Sequence, residues 1–160
     1  MILDERNEFC DNVDVSASAG TALVGDVIDL GAAGEDIGNG QPIYLVIRTG
    51  STEIITGGSA GTIQFQLASD SAAAIATDGT ATEHLITQAY VTDDSAANSN
   101  ELNAGEIIYM APLPVGTVSD YERYLGILCV TATTTTTAGT INAFLTLDPG
   151  RWKSYPDAVN

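Results

Sequence analysis

Apolar and polar residues alternate most cleanly at Thr62-Ile-Gln-Phe-Gln-Leu67, which places Ile63, Phe65 and Leu67 on one face and Gln64 and Gln66 on the other. A period of two marks a half-buried strand, because successive side chains of an extended backbone point to opposite faces. Similar runs occupy residues 26–30, 42–48, 83–90, 106–111, 121–130 and 140–147, each bounded by Gly, Pro, Asn or Asp. A weaker run at 12–18 brings the expected total to about eight. Within residues 41–48, Tyr44, Leu45, Val46 and Ile47 are apolar on both faces, the pattern of a central strand covered on each side. The runs at 121–130 and 140–147, joined by five consecutive threonines and Gly139, read as a hairpin.

No segment sustains apolar residues at i, i+3, i+4 and i+7, and the alanine-rich stretch 69–77 is too short for more than a helical turn or a loop. The chain is therefore expected to be all-β: a jelly-roll β-sandwich, with an up-and-down β-barrel as the alternative. Neither an internal repeat nor an interior linker divides it. Residues 1–148 form the expected β-domain with its N-terminal segment, and residues 149–160 an extended C-terminal arm. The longest polar loop, 93–105, should project from one end of the sandwich.

Charge narrows the partners. Twenty-one acidic residues against five basic ones give a net charge of −16, which repels nucleic acid and anionic membranes and favours solubility or a basic protein partner. The first residues lack the basic and apolar regions of a secretion signal, and no stretch approaches the roughly 18 apolar residues of a membrane span. A soluble protein of a reducing cytoplasm is expected, with Cys10 and Cys129 as free, buried thiols.

Chemistry-bearing motifs are incomplete. Gly57-Gly-Ser-Ala-Gly61 matches G-x-S-x-G, and His84 follows Ser59 with Asp70 and Asp78 between them. A nucleophile elbow needs a helix directly after it, however, and here a period-two strand follows; a flexible hairpin turn is the better reading. Gly38-Asn-Gly40 precedes Pro42 and a strand, so no helix N-terminus stands ready for a phosphate. The single histidine has no cysteine at zinc-ligand spacing. Acidic pairs occur at Asp93-Asp94 and Glu35-Asp36, but the twelve-residue pattern starting at either Asp93 or Asp94 lacks the central Gly and closing Glu of a helix-loop-helix calcium loop. The reading is a protein without catalytic, cofactor or metal residues.

The arm differs from the rest. Arg151, Trp152, Lys153 and Tyr155 gather the only Trp, the only Lys and one of the arginines beyond the last strand, between Pro149-Gly150 and Pro156. Aromatic and basic residues concentrated on a segment that prolines keep irregular point to a partner contact rather than a frayed end. These four residues are the candidate partner-binding set.

Several blocks resemble the capsid cement proteins of tailed bacteriophages, of the Bordetella phage type. They are Met1-Ile-Leu-Asp-Glu-Arg-Asn-Glu-Phe-Cys-Asp, Val27-Ile-Asp-Leu-Gly, Asp36-Ile-Gly-Asn-Gly-Gln-Pro-Ile-Tyr-Leu-Val-Ile, Pro112-Leu-Pro-Val-Gly, Glu122-Arg-Tyr-Leu-Gly-Ile and Phe144-Leu-Thr-Leu-Asp, with Trp152 and Tyr155-Pro-Asp-Ala after them. The resemblance covers nearly the whole chain and rests on the order of the blocks; the 93–105 loop and the threonine tract depart from it. It implies a jelly roll on the outer surface of an icosahedral head, made in the host cytoplasm and bridging subunits of the major capsid protein. Self-association as a homo-dimer is expected, with a trimer as the alternative. Two other functions compete: a carbohydrate-binding β-sandwich module, which should display aromatics on loops or one sheet face, and a small hydrolase, which should depend on Ser59.

Overall fold

The computed structural model describes residues 5–31, 37, 40–58, 60–92, 102–115 and 120–151. Among them the chain forms eleven strands: β1 (Glu8–Asp14), β2 (Gly20–Asp29), β3 (Tyr44–Thr49), β4 (Ile55–Thr56), β5 (Thr62–Asp70), β6 (Thr82–Ile86), β7 (Tyr90–Val91), β8 (Ile107–Pro112), β9 (Tyr124–Ala132), β10 (Thr136–Ala138) and β11 (Thr140–Thr146). The helical elements among the described residues are 3-10 turns at Glu5–Asn7 and Pro149–Arg151, and no described helix is long and apolar enough to cross a membrane.

All strand pairs are antiparallel. One sheet has the order β1-β11-β3-β8 and the other β2-β9-β5-β6, with β7 also paired to β5 and the short pair β10-β4 at the side. Setting aside the two- and three-residue strands, eight remain, and in chain order they fall alternately in the two sheets except for the hairpin β5–β6. Two four-stranded sheets linked in this double Greek-key manner are a jelly roll. Among the described residues the sheets end at β1, β8, β2 and β6 with no further strand paired, so they do not close into a barrel.

Alternation places the core. Leu45 and Ile47 of β3 and Ile141, Ala143 and Leu145 of β11 meet Ile63, Phe65 and Leu67 of β5 and Leu125, Ile127 and Cys129 of β9 in one cluster between the sheets. Full burial of each Leu, Ile or Phe side chain in it contributes about 1.5–3 kcal/mol. The outer face of the β9 sheet is covered as well. Residues 71–80 fold over it and insert Ile75 beside Ala68, Ala81 and Leu128. Gly126 leaves the space, since a Cβ there would lie 2.6 Å from Ile75 Cδ1.

Several expectations need correction. The segments 121–130 and 140–147 are not a hairpin: β9 lies in one sheet and β11 in the other, and the threonine tract carries the chain between them. Thr133 turns at φ 72°, then β10 pairs with β4. Gly139 passes Ile54 so closely that a Cβ would sit 2.7 Å from its Cγ1. Likewise β4 and β5 flank the Gly57–Gly61 turn without pairing to each other. The run at 83–90 is two strands, broken where Thr87 folds back to bond Phe65 through both its N–H, at 2.9 Å to the carbonyl, and its Oγ1, at 3.0 Å from the amide. The weak run at 12–18 is displaced to Glu8–Asp14, and the segment at 26–30 begins earlier, at Gly20. Strand β5 continues to Asp70, three residues past the point where alternation fades. The loop 93–105 lies outside the described residues up to 101, but its end turns inward: Leu102 is buried and its carbonyl accepts from Ile54 N–H at 3.1 Å.

Candidate functional site

His84 is the natural starting point for any reactive constellation, and the hairpin β5–β6 brings it to Ser69. An irregularity in the β5–β6 register lies between the pairs Leu67↔Leu85 and Ala68↔Glu83, and beside it Ser69 Oγ and His84 Nε2 lie 2.7 Å apart. Glu122 N–H donates to Ser69 Oγ at 3.0 Å, and Thr82 Oγ1 donates to the Glu122 carboxylate at 2.8 Å. The imidazole also stacks on Tyr121, with ring centroids 4.1 Å apart, and the Tyr121 hydroxyl donates to the Pro114 carbonyl at 2.7 Å. Burial pushes the Tyr121 phenol up to about 12.

This group looks like a hydrolytic dyad but is built as a clasp. Ser69 is fully buried, and His84 Nδ1 is buried with no hydrogen-bond partner among the described residues, so no described acid orients the ring from behind as a triad requires. Burial holds His84 below the usual histidine range, with the Glu122 charge opposing the shift. Asp70 and Asp78, the acids that chain order offered, cap turns instead: Asp70 accepts from Ala72 and Ala76 N–H at 3.0 Å each, and Asp78 from Thr80 N–H at 3.1 Å. Ser59 lies outside the described residues. The Ser69–His84 pairing escaped sequence reading because alternation appeared to end at Leu67; extending β5 by one period would have placed Ser69 inward and opposite the His84 strand.

Among the described residues no three His, Cys, Asp or Glu side chains converge as a metal site. Cys10 and Cys129 are free and buried, and burial raises their thiols to about 12 and about 11. Such thiols are poor nucleophiles.

The surface is more informative. Strands β1 and β2 end the two sheets on the same side of the sandwich. A groove of about 910 Å³ separates them. Its floor is apolar, with Phe9 and Cys10 buried and Val13 and Ile28 half-buried, while Glu5, Glu8, Asp11 and Asp26 stand on its rim together with Arg6. Asp29, at one end, is already engaged by Arg123 through two contacts of 2.9 Å. At its base a left-handed Gly25, φ +68°, crosses Phe9 so tightly that a Cβ would meet the Phe9 carbonyl oxygen at 2.1 Å. On another edge, Ile107 and Met110 of β8 are about half exposed on the outer face.

The arm begins beside the groove. Strand β11 pairs with β1 so that Phe144 faces Glu8, and β11 also touches the Glu5–Asn7 turn. The backbone continues through the Pro149–Arg151 turn. The side chain of Arg151, and Trp152, Lys153 and Tyr155 entirely, lie outside the described residues.

The family model named Bbp16 matches residues 12–145, from within β1 to within β11. The chain belongs to the Bbp16 family. That family name points to a Bordetella phage protein. The Bbp16 match takes in both sheets but stops short of the 149–160 arm and of Glu5, Glu8 and Asp11 on the groove rim. Among proteins of curated function, no match to the sequence is found.

Proposed function

We propose that this Bbp16-family chain is a structural virion protein, a cement protein that binds the outer surface of a tailed-phage head and stabilises contacts between major capsid subunits. The observation that carries the reading is the Bbp16 match across both sheets of the jelly roll, together with the order of sequence blocks that resembles the phage cement proteins. The described surface fits a binding role: it offers free sheet edges and a groove, and its one Ser–His pair is closed to substrate. The protein is made in the host cytoplasm and acts on the assembled head.

The mechanism is linkage. A site completed only when neighbouring capsid subunits are in place binds the assembled lattice better than free subunits, so occupancy stabilises the shell by mass action. Extended segments can add strands to open sheet edges, using backbone hydrogen bonds that make little demand on side-chain identity. Homo-dimers are the favoured state, and the candidate contacts are Arg151, Trp152, Lys153 and Tyr155.

The test is co-sedimentation of purified protein with heads that lack it. Saturable rebinding that makes the heads resist heat or osmotic rupture is expected. Absence of rebinding at micromolar protein would overturn the cement reading.

A further inference from the structure

We propose that the groove between β1 and β2 is the seat of residues 151–155 from a second copy of the chain, the two arms being exchanged about a two-fold axis. The inference rests on the reading above of the arm as a partner contact, and it names where that contact is made.

Three observations converge on the groove. It lies between two strand edges that no further described strand pairs, so extended backbone can add to either one. Its section is apolar below and acidic above: Phe9, Val13 and Ile28 line the floor, and four carboxylates face one guanidinium on the rim. The carboxylates also crowd one another. Glu8 is held above the usual carboxylate range by partial burial and then by the charges of Asp11 and Glu5, a repulsion that an incoming cation relieves.

In a chain with only five basic residues, the sequence Arg-Trp-Lys-Ser-Tyr at 151–155 is the complementary segment. Its aromatic rings suit the floor and its two cations the rim. Placement favours exchange between copies: each arm starts at the Glu5–Asn7 end of its own groove. A two-fold axis beside that end therefore sets each arm root against the partner's groove, and the contact closes as an isologous dimer. From residue 151, four extended residues reach about 13 Å.

Charge reversal on the full-length protein tests this. Glu8→Lys with Asp26→Lys makes the groove basic; Arg151→Glu with Lys153→Glu makes the arm acidic. Each double variant alone should self-associate at least about tenfold more weakly than the native chain by sedimentation. Emission from Trp152, the only tryptophan, should move to longer wavelength. Mixing the two variants should restore the dimer and the native emission, because the reversed arm then meets the reversed groove and the unaltered arm meets the unaltered groove.

A monomeric native protein, undiminished association of either variant, or a mixture that restores nothing would each overturn the proposal; the last is the result if an arm binds its own groove. Circular dichroism checks that the variants fold. If the groove variant does not, a peptide of residues 149–160 added to native protein must displace the arm and dissociate the dimer, and failure to do so is equally decisive. Heads that rebind protein lacking arm exchange would remove this inference alone, whereas exchange without head binding would remove only the cement reading.

Discussion

At the scale of single residues, the two informative positions are Gly25 and His84. Gly25 combines φ +68° with a backbone obstacle, and an added Cβ would sit 2.1 Å from the Phe9 carbonyl oxygen; since that oxygen cannot rotate away, β1 and β2 must part. Gly25→Ala should destabilise the protein by about 2 kcal/mol or more, read as a lower urea midpoint. At Gly126 the nearest atoms are tips of Ile75 and Leu23, and Gly126→Ala should cost less. His84 makes a pH prediction. Burial depresses its pKa, so the folded state favours neutral imidazole; the stability this contributes is complete above the unfolded value near 6.5 and is lost as pH falls toward the lower folded value. The groups facing the ring are Ser69, Tyr121 and the carboxylate of Glu122. Asp14, Asp29, Asp70 and Asp78 are also depressed, but their losses come lower, in the carboxylate range, while the raised Glu8 acts with the opposite sign. Urea midpoints should fall between pH 7.5 and 5, and His84→Gln should flatten that slope. An unchanged slope in the variant would assign the effect elsewhere.

At the scale of elements, strands were legible where apolar side chains alternate with polar ones. Residues 62–67 do so, and β5 contains them with Ile63, Phe65 and Leu67 fully buried; on the opposite face, however, Gln64 is half-buried and Gln66 buried instead of facing water. Alternation faded where both faces are covered: Ala68 packs outward under Ile75 while Ser69 turns inward toward His84, and the pattern lost its polar half. Pairing was less legible than strand existence. A short connection between two β-patterned runs ordinarily means a hairpin, yet a jelly roll sends consecutive strands to opposite sheets, and the threonine tract after β9 crosses between them. The decision lies in close approaches such as Gly139 against Ile54, which single-sequence periodicity does not carry. The loop over β9 offers a test of how much the second cluster contributes. Ile75→Ala removes the side chain that joins residues 71–80 to Leu128 and Ala68. A loss of about 2 kcal/mol is expected, at the lower end for such a truncation because a loop can settle into the space. A change below about 0.5 kcal/mol in the urea midpoint analysis would mean that the loop contributes little to global stability.

At the scale of the whole molecule, a net charge of −16 meets an arm that carries two of the five basic residues. Under the proposed cement role, attachment to basic capsid patches should weaken in co-sedimentation as ionic strength rises, since screening shortens to about 8 Å near physiological salt, while apolar and backbone contacts resist. The arm is separable from the fold in a way that charge is not. Both sheets, the core between them and the family match end by residue 146, and Pro149 and Pro156 keep the following residues from continuing a regular ladder. Deleting residues 149–160 should therefore leave the far-ultraviolet circular dichroism of an intact β-sandwich. Head binding and self-association should both fall, because loss of an aromatic or arginine anchor commonly costs about 2 kcal/mol or more, near thirtyfold in affinity. A truncated protein that decorates heads with undiminished affinity and unchanged oligomeric state would make the arm a bystander and transfer the contact to the N-terminal residues 1–11, of which Glu5, Arg6, Glu8 and Asp11 border the same groove.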